Sequence, residues 1–167
     1  MIKYLQIGAF FLIGFIIQPS LLNLISIGGY TPNLLLGLVI LFSFLFEEEV
    51  YGVVYGALFG ILYDIMYGSY IGPTPIALVL VAIIILVIRE HANIENIVNL
   101  WLVSLGGIVL YYIFIWGLNS FAGIPVGIQV VLSHVPVILI YTLVFITAMY
   151  LFLRKRVIRH HRDRYIK

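Results

Sequence analysis

The chain has 167 residues, 63% hydrophobic and 10% charged, with a formal net charge of +2 and a mean hydropathy of +1.18. An average soluble domain carries roughly 25% charged residues, so too little polar surface is left here to face water, and a bilayer is the expected solvent. Six spans of about 20 apolar residues leave about 47 residues for loops and tails, which excludes an additional folded catalytic domain.

The apolar runs are punctuated where an all-α, polytopic membrane bundle needs turns. Leu5 to Ile27 comes first, interrupted only by Gln6, Gln18-Pro19 and Asn23, and the turn-like Gly28-Gly29-Tyr30-Thr31-Pro32-Asn33 follows. Leu34 to Phe46 is a short second run ending at Glu47-Glu48-Glu49. It crosses only if its helix starts earlier, the bilayer thins, or neighbouring protein covers its ends. Val50 to Tyr67 is third, closed by Gly68 to Pro75; Pro73 and Pro75 suit the first turn of a fourth span reaching Ile88. After the polar stretch Arg89 to Asn96, a fifth span runs from about Ile97 to Leu118 and a turn from Asn119 to Pro125. The sixth runs from about Val126 to Leu153 with Pro136 as an expected kink. The chain thus divides into a helical membrane domain, 1–153, and a basic cytoplasmic tail, 154–167.

Lys and Arg near span ends stay cytoplasmic. With six spans and a cytoplasmic N-terminus, the inner segments hold Lys3, Arg89 and the tail's Arg154, Lys155, Arg156, Arg159, Arg162, Arg164 and Lys167, which is every basic residue. The three outer turns carry no charge. A five-span arrangement would misplace only Lys3. The first run resembles a signal sequence but lacks a small-residue cleavage site before Pro19, so it is expected to be a retained anchor.

Chemistry-bearing residues are few. Having no cysteine, the chain is expected to use no disulfide, thiolate metal site, thiol nucleophile, or palmitoyl or prenyl anchor. No His/Asp/Glu cluster has metal-ligand spacing, and no catalytic triad, phosphate loop or nucleic-acid fold is evident, so no cofactor and no nucleic-acid partner is expected. His134, beside Pro136, reads as a core histidine, and His160-His161 sit between arginines that disfavour a metal. The strongest local pattern is in the third span, where Gly52, Gly56 and Gly60 recur every four residues and Asp64, Gly68 and Gly72 continue the step. A step of four advances about 400° around a helix, so the glycines form one narrow groove. It seats either another helix of the same bundle or a partner's helix at backbone distance. Asp64 is the only acidic residue inside an expected span. Such a residue is a functional candidate by default; here it could fix the outer turn, contact a partner or take part in transport. Transport is the weakest of these, since one Asp and one His do not make a proton relay. Glu47, Glu48 and Glu49 form an acidic cytoplasmic turn, either simply solvated or facing a basic partner. The tail is expected to attract anionic lipids, at about 1 kcal/mol per basic residue near the surface.

Pro32-Asn33 before a leucine-rich span, a short acidic turn and then Gly60-x3-Asp64-x3-Gly68-x3-Gly72 resemble the bacterial rod shape-determining protein MreD family. Chain length, span number and the basic tail agree with it, although the family often has Pro-Asp where this chain has Pro32-Asn33. The resemblance implies a non-enzymatic inner-membrane component of the wall-elongation machinery. Its implied partner is MreC, a single-span protein, within a wider complex of MreB, RodA and a class B penicillin-binding protein. It also implies a fold like the substrate-binding subunits of energy-coupling-factor vitamin transporters, the rival function. That rival would use an outward pocket near Tyr70, Trp116, Asn119, Gln129 and His134, and small residues four apart on the first helix; Gly8, Ala9 and Gly14 offer no such pair.

Overall fold

The computed structural model describes the backbone of residues 2–25, 31–46, 50–94, 96–124 and 128–162, and the side chains of 4–19, 31–46, 50–94, 96–124, 129 and 135–153. The described residues form six helices and no strand: α1 (Ile2–Ile25), α2 (Leu34–Leu45), α3 (Tyr51–Tyr67), α4 (Pro73–Arg89), α5 (Ile97–Phe121) and α6 (Ile128–Arg162). By length and composition, Ile97–Phe121 and Val135–Leu153 are long and apolar enough to cross a membrane, whereas Tyr4–Pro19 and helices α2, α3 and α4 are shorter apolar helices.

The centre of the bundle is α2. All 12 of its residues are buried, and it packs against each of the other five helices. A helix that is hydrophobic all round must be enclosed by protein or lipid, and here it is enclosed by protein. This answers the short second run: its ends are covered by neighbours. Around α2, helix α1 packs on α3, α3 on α4, α4 on α5 and α5 on α6.

Each outer helix buries one stripe. On α1 it is Ile7, Phe11, Gly14, Phe15 and Gln18; on α3, Tyr51, Gly52, Gly56, Phe59, Gly60 and Asp64. Phe11 fills the junction of three helices, with ring centroids 5.7 Å from Phe42, 5.2 Å from Tyr55 and 5.7 Å from Phe59. The opposite faces are apolar too: Leu58, Ile65, Val87, Leu102, Val109 and Val144 are exposed. A water-soluble bundle would be polar there, so the perimeter matches a membrane protein.

Two helices exceed their expected ends. The last turn of α5 contains Asn119 and Ser120, which the sequence pattern assigns to the following turn. The helix ends at Gly123, with φ 77°: its N–H donates to Ser120 O (3.2 Å) and Ile124 N–H to Asn119 O (3.0 Å), the paired closing bonds of a left-handed cap. Helix α6 continues past Leu153 to Arg162, so the backbone at Arg154, Lys155, Arg156, Arg159 and Arg162 belongs to the last helix.

Candidate functional site

Gln18, Asp64, Thr74 and Thr142, four of the seven buried polar or charged side chains among the described residues, gather in one layer; Ser43, Arg89 and Ser104 lie elsewhere. At 1.5 Å per residue, Asp64 lies about 20 Å from the start of α3 and Thr74 about 22 Å from the end of α4. Tyr111 lies about 21 Å from the start of α5 and Thr142 about 16 Å from Leu153 on α6. Gln18 and Asn33 enter the same layer from α1 and the start of α2.

Asp64 closes the hairpin between α3 and α4. Four backbone groups at the start of a helix lack intrahelical acceptors. In α4 these belong to Gly72, Pro73, Thr74 and Pro75, and the two prolines have no N–H. The two remaining donors, Gly72 N–H and Thr74 N–H, both donate to Asp64 Oδ2, at 2.8 and 3.2 Å. The carboxylate is 4% exposed and faces the positive end of the α4 dipole, where a negative charge is favoured. Its own carbonyl accepts from Gly68 N–H at 2.9 Å, which ends α3. Gly72, with φ 136°, takes a conformation open to glycine that lets the chain turn back so tightly.

The start of α2 is held by its own cap residue and by two other helices. Asn33 Oδ1 accepts from Leu36 N–H (3.0 Å), Gln18 Oε1 of α1 accepts from Leu35 N–H (3.1 Å), and Thr142 Oγ1 of α6 accepts from Asn33 N–H (3.2 Å). Tyrosines knit the layer further. Tyr63 meets Gln18 and neighbours Asp64, Tyr111 meets Asn33 and Thr74, and Tyr112 meets Asn33. Above it, Tyr70 donates to the Asn119 side chain. Of the other residues named for an outward pocket, Trp116 is half-buried and Gln129 exposed; the His134 side chain lies outside the described residues.

The glycine groove is filled from within the chain. A Cβ at Gly52 would lie 1.9 Å from Ser43 Oγ and 3.0 Å from Val39 O of α2. At Gly56 it would meet Val39 at 3.1 Å and Leu78 at 3.5 Å, and at Gly60 Pro75 Cα at 2.7 Å. Thus α3 presses its glycines onto both α2 and α4. Gly68 serves the end of α3, where a Cβ would lie 2.7 Å from Asp64 O.

At the opposite end, Arg89 is buried and donates from Nη2 to Leu45 O at 3.4 Å, placing a cation on the last carbonyls of α2. Tyr150 donates to Ile94 O (2.9 Å) and Asn96 caps α5 by accepting from Val98 N–H (2.9 Å). Glu47, Glu48, Glu49 and Arg164 lie outside the described residues, as do the side chains of Arg154 to Arg162. Among the described residues no group of three or more His, Cys, Asp or Glu could hold a metal ion.

Sequence inspection singles out Asp64 and the glycines but misses Asn33, Gln18, Thr142 and Arg89 as holding groups. Asn33, an Asn directly before an apolar run, is a helix-start signal that could have been read. Gln18 and Thr142 carry no local signal, because their acceptors matter only once α1 and α6 meet α2.

An apolar-faced helical bundle, with Gln18, Asn33, Asp64 and Thr142 engaged in fixing helix starts, defines the general class. The chain belongs to the family of rod shape-determining protein MreD, whose family model matches residues 1–158. The family consists of membrane proteins that act in bacterial cell-shape determination with the elongation complex. No curated protein and no solved structure matched the chain.

Proposed function

We propose that this protein is a non-enzymatic, multi-pass scaffold of the bacterial cytoplasmic (inner) membrane. It binds an MreC-like single-span partner and so helps the wall-elongation machinery maintain a rod shape. The observation that carries this proposal is the family match over residues 1–158. The fate of the polar residues supports a scaffold: Asp64, Gln18, Asn33 and Thr142 each satisfy backbone donors at the starts of α2 or α4. Because α2 and α4 occupy the glycine face of α3, a partner's helix meets the apolar perimeter instead. RodA, a class B penicillin-binding protein and MreB are the wider partners. Both termini are cytoplasmic, and anionic lipids meet the basic end of α6.

Depleting the protein in a rod-shaped host tests this function. Rounded cells, with loss of the MreC-like protein from complexes purified through the elongation machinery, are the expected outcome. Normal rods with lost vitamin uptake would replace the scaffold by a transporter subunit.

A further inference from the structure

The turn between α3 and α4 and the end of α5 form a single surface, joined by the hydrogen bond from Tyr70 to Asn119. Neither segment 68–75 nor segment 119–125 contains a charged residue. Yet the surface is studded with large apolar side chains: Ile71 is 63% exposed, Phe121 93% and Ile124 42%. Phe121 is the most exposed large hydrophobic residue among those described. Left in water, such side chains would forgo the burial that draws apolar surface out of water.

Helix length says what covers this surface. Helices α3 and α4 have 17 residues each, so each is about 26 Å long against a hydrocarbon core of about 30 Å. With Tyr51 and Arg89 at the inner boundary, α3 and α4 end about 4 Å inside the outer hydrocarbon boundary, and the turn from Gly68 to Gly72 that carries Ile71 rises from there to the base of the headgroup layer. Helix α5 has 25 residues and is about 38 Å long, so Phe121 stands just beyond the hydrocarbon, within a headgroup layer about 5–7 Å thick. The Tyr70 phenol spans the difference in height to reach Asn119. The patch also continues the exposed apolar belt of α3 through Ile65 and Met66.

We propose that Ile71, Phe121 and Ile124 are immersed in the headgroup layer of the outer leaflet, making this end of the bundle a phospholipid-embedded rim. The inference rests on the membrane-spanning arrangement proposed above. Uncharged turns suit this position, where a charged side chain would be drawn out toward water and lift the turn with it.

The chain has no cysteine, so single nitroxides can be attached at Ile71→Cys, Phe121→Cys, Val109→Cys and His91→Cys without further changes. The variants are reconstituted in phosphatidylethanolamine–phosphatidylglycerol vesicles, and collisions with oxygen and with a water-soluble nickel chelate are compared. Val109 lies about 18 Å below Phe121 on the same helix and should be the deepest site; His91, in the polar inner turn, should be the most aqueous. Nickel accessibility at 71 and 121 severalfold below that at 91, with oxygen accessibility approaching that at 109, is the expected result. Nickel accessibility at 71 and 121 equal to that at 91, with 109 still deep, overturns the rim alone. Low collision rates with both reagents at 71 and 121 also overturn it, because protein then covers the surface. If 109 is as open to nickel as 91, the membrane-spanning arrangement itself fails.

Discussion

Asp64 illustrates how far a single residue can be interpreted from its neighbours in sequence. An acid in a glycine-stepped apolar helix is conspicuous, and Gly72-Pro73-Thr74-Pro75 eight residues later announces a helix start with two of its donors deleted. The match between the two surviving donors and one carboxylate oxygen appears only when the turn is folded. Replacing Asp64 with Ala strands two N–H groups in the bundle and should cost about 2–4 kcal/mol, read as a lowered thermal midpoint in detergent. The substitution Asp64→Asn keeps an acceptor but loses the charge facing the α4 dipole, so it should cost clearly less than Asp64→Ala. Equal midpoints for wild type and Asp64→Ala would remove the cap from the account. Asn33→Ala leaves Leu36 N–H without its side-chain acceptor, a loss of about 1 kcal/mol by the same measurement.

Among the elements, the glycine step was legible as a groove, but its occupant was not. One-dimensional periodicity identifies a flat face and does not identify what lies on it. The neighbouring atoms divide the glycines into two groups. Gly60→Ala drives a methyl into the Pro75 backbone and should cost about 1–3 kcal/mol by forcing α3 and α4 apart. Gly106→Ala, with no atom within 4 Å of the added Cβ, should leave the thermal midpoint unchanged or slightly raised. Gly52→Ala collides first with the Ser43 hydroxyl, so adding Ser43→Ala should recover part of the loss; strictly additive effects in this double-mutant cycle would sink that contact. Helix limits follow composition closely for α2, α3 and α4, where glutamates or Gly and Pro mark the ends. They depart from it at α5, where Asn119 and Ser120 suggest a turn that Gly123 actually makes. They depart again at α6, where the change from apolar to basic residues is not a change of structure. Helix formation depends on backbone and propensity, and Arg and Lys are good helix formers.

For the whole molecule, the charge pattern supplies a topology that can be checked directly. A single cysteine at Asn93 should react readily with an impermeant maleimide from the cytoplasmic side of sealed vesicles, whereas one at Ser69, in the headgroup-embedded turn, should react slowly and only from the opposite side. Labelling of both from one side would mean that α4, the one helix between them, does not cross. What hydropathy alone conceals is the difference between a helix that faces lipid and one that faces only protein, since both are equally apolar. That difference governs how the chain is made. With 12 residues, about 18 Å long, α2 is too short to hold its place in a bilayer unaided, and all its residues lie under side chains of helices that mostly emerge later. It has to wait, paired with α1, until α3 to α6 arrive. A chain stopped after α4 should therefore expose α2 to membrane quality control and be degraded rapidly, whereas the complete chain, once closed around it, persists.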